Sequence, residues 1–235
     1  MTDIHAANAA TPAATVASTR DRHVLLAGAT GLVGSELLQM LLADDSVATV
    51  HLLGRRAAPV HHPKLTARVV DFAALPSLPV LDEVYLALGT TIAVAGSQEA
   101  FKAVDFEANL AVALAAAAAG ARRLGLVSAM GADARSRVFY SRVKGELEDA
   151  VATLDLDACV IARPSLLAGD RAALGQPERR GERLGLALAT GFLRDWLPAS
   201  VRPVPAQAVA RALLTRVPVA RGIEALRSAD LQAYA

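Results

Sequence analysis

The sequence predicts an α/β protein built on a single doubly wound parallel sheet, with helices on both faces. Two observations carry that prediction. The stretch HVLLAGATGLVGSELLQML, His23 to Leu41, reads as a strand, a glycine turn and a helix in that order. Beyond it, short apolar runs of strand length alternate with longer segments of helical period, as repeated βα units require. Hydrophobic residues make up 54% of the 235 residues, mostly Ala, Leu and Val, which is enough to bury such a sheet on both faces.

The first unit carries the most specific chemistry. His23 to Ala27 are mostly apolar, and Leu37, Leu38, Leu41 and Leu42 recur at helical spacing. Between them stand Gly28, Gly31 and Gly34, with Thr30, Leu32 and Val33 in the same turn. Gly28 is expected to take a backbone conformation that a Cβ forbids. Gly31 is expected to let a pyrophosphate approach the main chain, and Gly34 to let the helix sit close on the strand. The helix N-terminus then offers free N–H groups and a partial positive charge to phosphate, so the turn points to a dinucleotide. This is the signature of a Rossmann-type unit, although the spacing is G-x-x-G-x-x-G.

The remaining elements follow in order. Asp44-Asp45-Ser46 makes a turn, and Thr49 to Arg56 reads as a second strand ending in two arginines. A carboxylate there would bind ribose hydroxyls, whereas Arg55 and Arg56 can pair with a 2′-phosphate; NADP(H) is therefore expected over NAD(H). LTARVVDF forms a third strand that ends at Asp71-Phe72, and Glu83 to Thr91 a fourth, running into a turn at Leu88, Gly89 and Thr90. VDFEANLAVALAAAAAG is the next helix, closed by Gly120, and RRLGLVSAMGA supplies a fifth strand ending at Ser128. Phe139, Val143, Leu147 and Val151 line one stripe of a long helix. DACVIARPSLLAG is a sixth strand stopped by Pro164, and Gly34, Leu88, Gly89, Thr90 and Pro164 are counted among the residues expected to contact the cofactor. From Gly169 to Pro203 the pattern breaks into charge, Gly and Pro, expected to be a variable substrate or lid region. PAQAVARALLTRV closes the chain with an amphipathic helix, and GIEALRSADL adds an edge strand.

Composition excludes several classes. Lys plus Arg number 24 against 23 Asp plus Glu, which argues against a nucleic-acid protein driven by bulk charge. The single cysteine, Cys159, rules out an internal disulfide and reads as a core thiol. The five histidines lack metal-ligand spacing, so no metal is expected, and His61-His62 reads as a solvated pair. Asn109 to Gly120 is too short and Ala-rich for a membrane span. Residues 1–20 read as a disordered tail without secretory character, leaving 21–235 as one nucleotide-binding domain, expected in the cytoplasm.

Tyr140 and Lys144 stand at i and i+4, hence on one helix face, twelve residues after Ser128. The spacing suits proton transfer. A tyrosine titrates near pH ~10, and an ammonium one turn away favours its phenolate. With Ser128 the pair resembles the Ser…Tyr-x-x-x-Lys arrangement of short-chain dehydrogenases, which implies that Ser128 would hydrogen-bond a substrate carbonyl, Lys144 would hold the nicotinamide ribose, and Tyr140 would protonate the developing alkoxide.

GATGLVG, LGTT, GSQEAFKAVDFE, LVSAMGAD, VFYSRVKGELE and ARPSLLAG occur in the order of the atypical short-chain dehydrogenase/reductases. From His23 to about Leu214 the chain resembles the family that includes the HIV-Tat-interacting oxidoreductase and its bacterial relatives. The resemblance implies an NADP(H)-binding Rossmann fold, Asp71-Phe72 beside the adenine, and an oxidoreductase assignment made mostly by descent. One departure concerns proton delivery: extended members often carry Asn where this chain has Asp105, and Asn109 is out of register. Two functions are therefore carried forward. One is a reductase of a small carbonyl substrate; the other is a nucleotide-sensing protein that uses the same pocket, with a homodimer or a protein partner left open.

Overall fold

The computed structural model describes residues 21–168, 198 and 201–235. The expected tail (1–20) and nearly all of the expected lid region (169–203) lie outside the described residues. The first unit forms as the sequence dictates: β1 (Arg22–Ala27), a glycine turn, and α1 (Leu32–Ala43). Val24 and Leu26 face one core, and Leu25 and Ala27 the other. A strand covered on both faces needs just such an unbroken apolar run. Leu37, Leu38 and Leu41 anchor α1 to the sheet, each contributing roughly 1.5–3 kcal/mol by burial.

The chain continues through β2 (Val47–Gly54), β3 (Leu65–Val69), β4 (Glu83–Leu86), α2 (Ile92–Ala95) and α3 (Gln98–Lys102). A π-helical segment (Ala103–Ala108) runs directly into α4 (Asn109–Ala118), followed by β5 (Arg123–Val127), α5 (Phe139–Ala152) and β6 (Ala158–Arg163). β7 (Leu167–Ala168) and β8 (Val204–Pro205) form a small parallel pair. The last elements are α6 (Ala206–Arg216), β9 (Gly222–Arg227), α7 (Ser228–Leu231) and a 3₁₀ turn, Gln232–Tyr234. The main sheet has seven parallel strands in the order β3-β2-β1-β4-β5-β6-β9. The order reverses between β1 and β4, which opens a crevice at the carboxyl ends of those strands. α1 and α6 pack on one face of the sheet, and α4 and α5 on the other.

Four local expectations need correction. The helix read from Val104 begins earlier, at Gln98, because the Ser97 Oγ accepts the Ala100 N–H at 3.1 Å and caps it. It then widens into a π-turn, where the Asn109 side-chain amide donates to the Val104 and Asp105 carbonyls at 3.2 Å each. β2 stops at Gly54, so Arg55 and Arg56 lie just past the strand rather than in it, and β3 and β4 end before Asp71 and Gly89. His62 is half-buried, its Nδ1 accepting the Lys64 N–H at 3.1 Å, so only His61 of that pair is exposed.

The amino end of the sheet is tied by a charge network that the sequence reading missed. The Arg22 guanidinium donates to both oxygens of buried Glu83, at 3.1 and 2.9 Å, and pairs with Asp44 at 2.5 Å. The Tyr85 hydroxyl donates to Glu83 at 2.9 Å, and burial, reinforced by that carboxylate, holds the phenol well above its ordinary pKa. The Tyr85 ring lies against β5 at Gly125, where an added Cβ would stand 2.9 Å from Tyr85 Cδ1 and 3.0 Å from Val217 Cγ2. Gly125→Ala is therefore expected to overpack this core and lose about 1–3 kcal/mol of stability in urea denaturation.

Candidate cofactor and active site

The turn after β1 is shaped by close backbone approach. Gly28 has φ +98°, and a Cβ there would stand 2.4 Å from the Ala87 carbonyl. Gly34 is tighter: its Cβ would fall 2.0 Å from the Gly28 oxygen. Gly31 differs from both. It has ordinary extended angles (φ −85°, ψ 167°), and its Cβ would come no nearer than 3.4 Å to the Gly28 oxygen. It is the N-cap of α1, with no side chain capping the helix and no acidic residue in the first turn. The N-terminal N–H groups of a twelve-residue helix are thus left for a ligand, and the helix dipole favours an anion there.

This turn borders a cavity of about 680 Å³ at the carboxyl ends of the sheet. One end of its wall is Gly28, Thr30, Gly31, Leu32 and Val33, with Arg55 and Arg56 after β2 and Asp71 and Phe72 after β3. Both arginines are exposed, and the Arg56 guanidinium reaches the Thr30 hydroxyl at 3.5 Å. The Asp71 carboxylate accepts the Ala73 N–H at 3.0 Å. The other end is Leu88, Gly89 and Thr90 after β4, with Ser128, Tyr140 and Lys144. An uncapped helix N-terminus, glycines that bring main chain to the wall, and this volume fit a dinucleotide.

Two residues expected to touch cofactor do not border this cavity. Gly34 is buried against Gly28, as its packing role requires, and Pro164 is buried after β6, where its carbonyl accepts the Met130 N–H at 2.8 Å.

At the end of the cavity that holds Tyr140, Lys144 is buried and its Nζ lies 2.7 Å from Asp105 Oδ1. Asp105 projects from the π-helical segment, and its other oxygen accepts the Thr90 N–H at 2.8 Å. Burial opposes the Lys144 charge, but Asp105, Tyr140 and Glu148 outweigh it and raise the ammonium above its ordinary pKa. Gly89 sits over this pair; a Cβ there would lie 3.6 Å from Asp105 Oδ1 and 4.0 Å from Lys144 Nζ. Asn109 supports the loop from behind, its amide donating to the Leu88 carbonyl at 3.2 Å. Tyr140 packs on Phe101, with ring centroids 5.5 Å apart.

Ser128 is engaged differently from the expectation. Its hydroxyl donates to buried Glu148 at 2.5 Å, and the Arg163 guanidinium holds the same carboxylate, with Nε 3.1 Å from each oxygen. To donate to a substrate carbonyl, the hydroxyl must turn away from Glu148. The sequence reading missed Asp105 as a partner of Lys144, and missed Glu148 and Arg163 altogether. Glu148 was legible, for it continues the Tyr140–Lys144 stripe by one more interval of four. Cys159 is the core thiol expected, pushed up to about 12 by burial and by Glu148.

The sheet order and the glycine turn at its switch point define an NAD(P)H-binding protein of Rossmann type. The chain belongs to the NAD(P)H-binding family whose profile matches residues 28–185. It is 33% identical over 192 residues to "Protein FMP52, mitochondrial" of Candida albicans, covering 78% of this chain and 82% of that one. The Emericella nidulans protein of the same name is 38% identical over 159 residues, 63% of this chain and 68% of its own. Among solved structures, the chain is similar in fold to MoeE5 in complex with UDP-glucose and NAD (TM-score 0.65, 18% identity, 87% and 75% of the two chains). It is likewise similar to the Bordetella bronchiseptica enzyme WbmF in complex with NAD+ (TM-score 0.63, 18% identity, 92% and 78%). These relatives are named FMP52 rather than for the Tat-interacting oxidoreductase. Their names also place them in the mitochondrion, which overturns the expectation of a cytoplasmic protein. Among the described residues, no helix is long and apolar enough to cross a membrane.

The three glycines should separate on mutation. Gly31→Ala is expected to melt within a few degrees of the wild type, since its Cβ meets only ordinary contacts. Gly34→Ala, driven into the Gly28 oxygen, should lose about 3 kcal/mol or more. Thermal melting of the two variants checks the contrast.

Proposed function

We propose that the protein is an NADP(H)-dependent oxidoreductase that reduces a small carbonyl substrate, with Tyr140 as the proton donor. One observation carries the reading: Tyr140, Lys144 and Ser128 share a single cavity with the uncapped glycine turn of α1. Fold likeness alone would not carry it, because one fold hosts many chemistries.

In this reading the α1 N-terminus and the main chain at Gly28 and Gly31 would hold the pyrophosphate, and Asp71 and Phe72 would border the adenine. Arg55 and Arg56, exposed on the cavity wall after β2, would pair with a 2′-phosphate. The Arg56 guanidinium lies 3.5 Å from the Thr30 hydroxyl. The nicotinamide, when bound, supplies a hydride to the carbonyl carbon. The chain's own residues do the rest. Lys144, fixed by Asp105, orients the ribose and the phenol; Tyr140 passes its proton to the carbonyl oxygen as negative charge develops there. Ser128, turned from Glu148, gives that oxygen a second hydrogen bond.

Two measurements test this. NADPH should bind more tightly than NADH by ~1–3 kcal/mol, and the Arg55→Ala, Arg56→Ala double variant should lose the difference. Equal wild-type affinities, read by fluorescence titration, would sink the cofactor preference. In a panel of aldehydes, ketones and quinones, Tyr140→Phe should cut NADPH oxidation by ~10²–10⁴-fold while leaving nucleotide binding intact. Unchanged turnover would remove Tyr140 from the mechanism.

A further inference from the structure

Tyr140 and Lys144 share a face of α5, but the ammonium is not free to act on the phenol alone. Its Nζ is 2.7 Å from Asp105 Oδ1, and both side chains are almost completely buried. Asp105 is itself fixed, since its second oxygen accepts the Thr90 N–H at 2.8 Å and its helix is held in the π form by Asn109. A bare ammonium beside a tyrosine favours the phenolate, but one paired with a buried carboxylate presents little net charge. We propose that Asp105 is a positioning residue that cancels the Lys144 charge felt at Tyr140, setting the site to donate a proton rather than withdraw one. Resting on the reading of Tyr140 as the proton donor, this leaves the phenol with its proton, the form from which a carbonyl oxygen can be protonated.

The other charges around the pair do not replace Asp105. Glu148 follows Lys144 by one turn of α5, but its carboxylate is bound by Arg163 of β6 and by the Ser128 hydroxyl. Glu107, in the same π segment, is exposed on the cavity wall. Lys102 of α3 and Arg142 of α5 face Glu146, each at 3.9 Å. Asp133, on the loop before α5, faces Arg135 at 3.8 Å, and α4 carries no ionisable side chain. Among the described residues, Asp105 is the carboxylate in contact with the ammonium.

The test reads the phenol directly and needs no substrate. The full chain has three tyrosines, Tyr85, Tyr140 and Tyr234, so 3-fluorotyrosine labelling gives three fluorine NMR signals, with Tyr140→Phe assigning one. The Tyr140 titration is followed in the wild type, Asp105→Asn, Lys144→Gln and the double variant, each first checked for native circular dichroism. Asp105→Asn should lower the Tyr140 midpoint by about one pH unit, and Lys144→Gln should raise it by a similar amount. The double variant should return near the wild type. A merely structural Asp105 would not give opposite shifts from the two single changes. A midpoint that is unmoved or raised in Asp105→Asn overturns the proposal. Should Asp105→Asn fail to fold, the wild-type midpoint set against free 3-fluorotyrosine decides: a value within about half a pH unit of it supports the cancellation, and one depressed by about one unit or more, as an uncompensated ammonium would give, overturns it. Failure to find a carbonyl substrate would count against the proposed function but would leave these titrations as they stand.

Discussion

At the carboxyl end of β1 three stretches of backbone meet where side chains would keep them apart. Gly28 lies against the Ala87 carbonyl beyond β4, and Gly34, in the first turn of α1, lies against the Gly28 oxygen. Neither approach leaves room for a Cβ. Because the two contacts share Gly28, they fix α1 relative to both strands at the point where the sheet changes direction. The uncapped helix end then faces the crevice, while the chain beyond β4 passes over Gly89 to the Lys144–Asp105 pair. The two ends of the cavity, the one proposed to bind phosphate and the one proposed to transfer a proton, thus descend from one packing constraint.

The floor beneath the Tyr140 end of the cavity is a compensated polar layer. Two buried carboxylates, Asp105 and Glu148, each take one cation, Lys144 and Arg163, and each takes one neutral donor, the Thr90 N–H and the Ser128 hydroxyl. Leaving buried Asp105, Lys144 or Glu148 unpaired would cost several kcal/mol, so each of them depends on its partner. Such pairing adds little net stability over a well-packed apolar layer. What it provides is orientation, with Lys144 held by Asp105 and Ser128 by Glu148.

The fold was largely legible, for physical reasons. β1 and α1 are read from an apolar run, a glycine turn and a 3.6-residue repeat, all local properties of the chain. The last strand was legible too, as a short run following an amphipathic helix, and β9 does lie at the edge beside β6. The π segment was not, because its cause is a side chain, Asn109, bonding to carbonyls that an ideal helix would satisfy internally. Tyr140, Lys144 and Ser128 could be named from spacing, but their partners could not all be. Asp105 meets Lys144 across 39 positions of sequence, and Arg163, at the end of β6, meets Glu148 of α5. Pro164 was misplaced because a residue at a strand's carboxyl end can turn to either side, and this one turns into the protein.

The position of β9 has a bearing on how the sheet assembles. β6 is flanked on one side by β5, which precedes it directly, but its other neighbour begins only at Gly222. The core face beneath is also built from distant parts, since α1 packs on α6 some 170 residues later. During synthesis the half-sheet β3-β2-β1-β4-β5 can pair early, with Leu37, Leu38 and Leu41 still lacking their cover from Val209 and Leu213. Contacts of such long sequence separation are slow to close, because the loop entropy is lost before burial compensates it. A nascent chain that has reached only β6 therefore exposes both an unpaired strand edge and one apolar face, and its aggregation risk is concentrated in that interval.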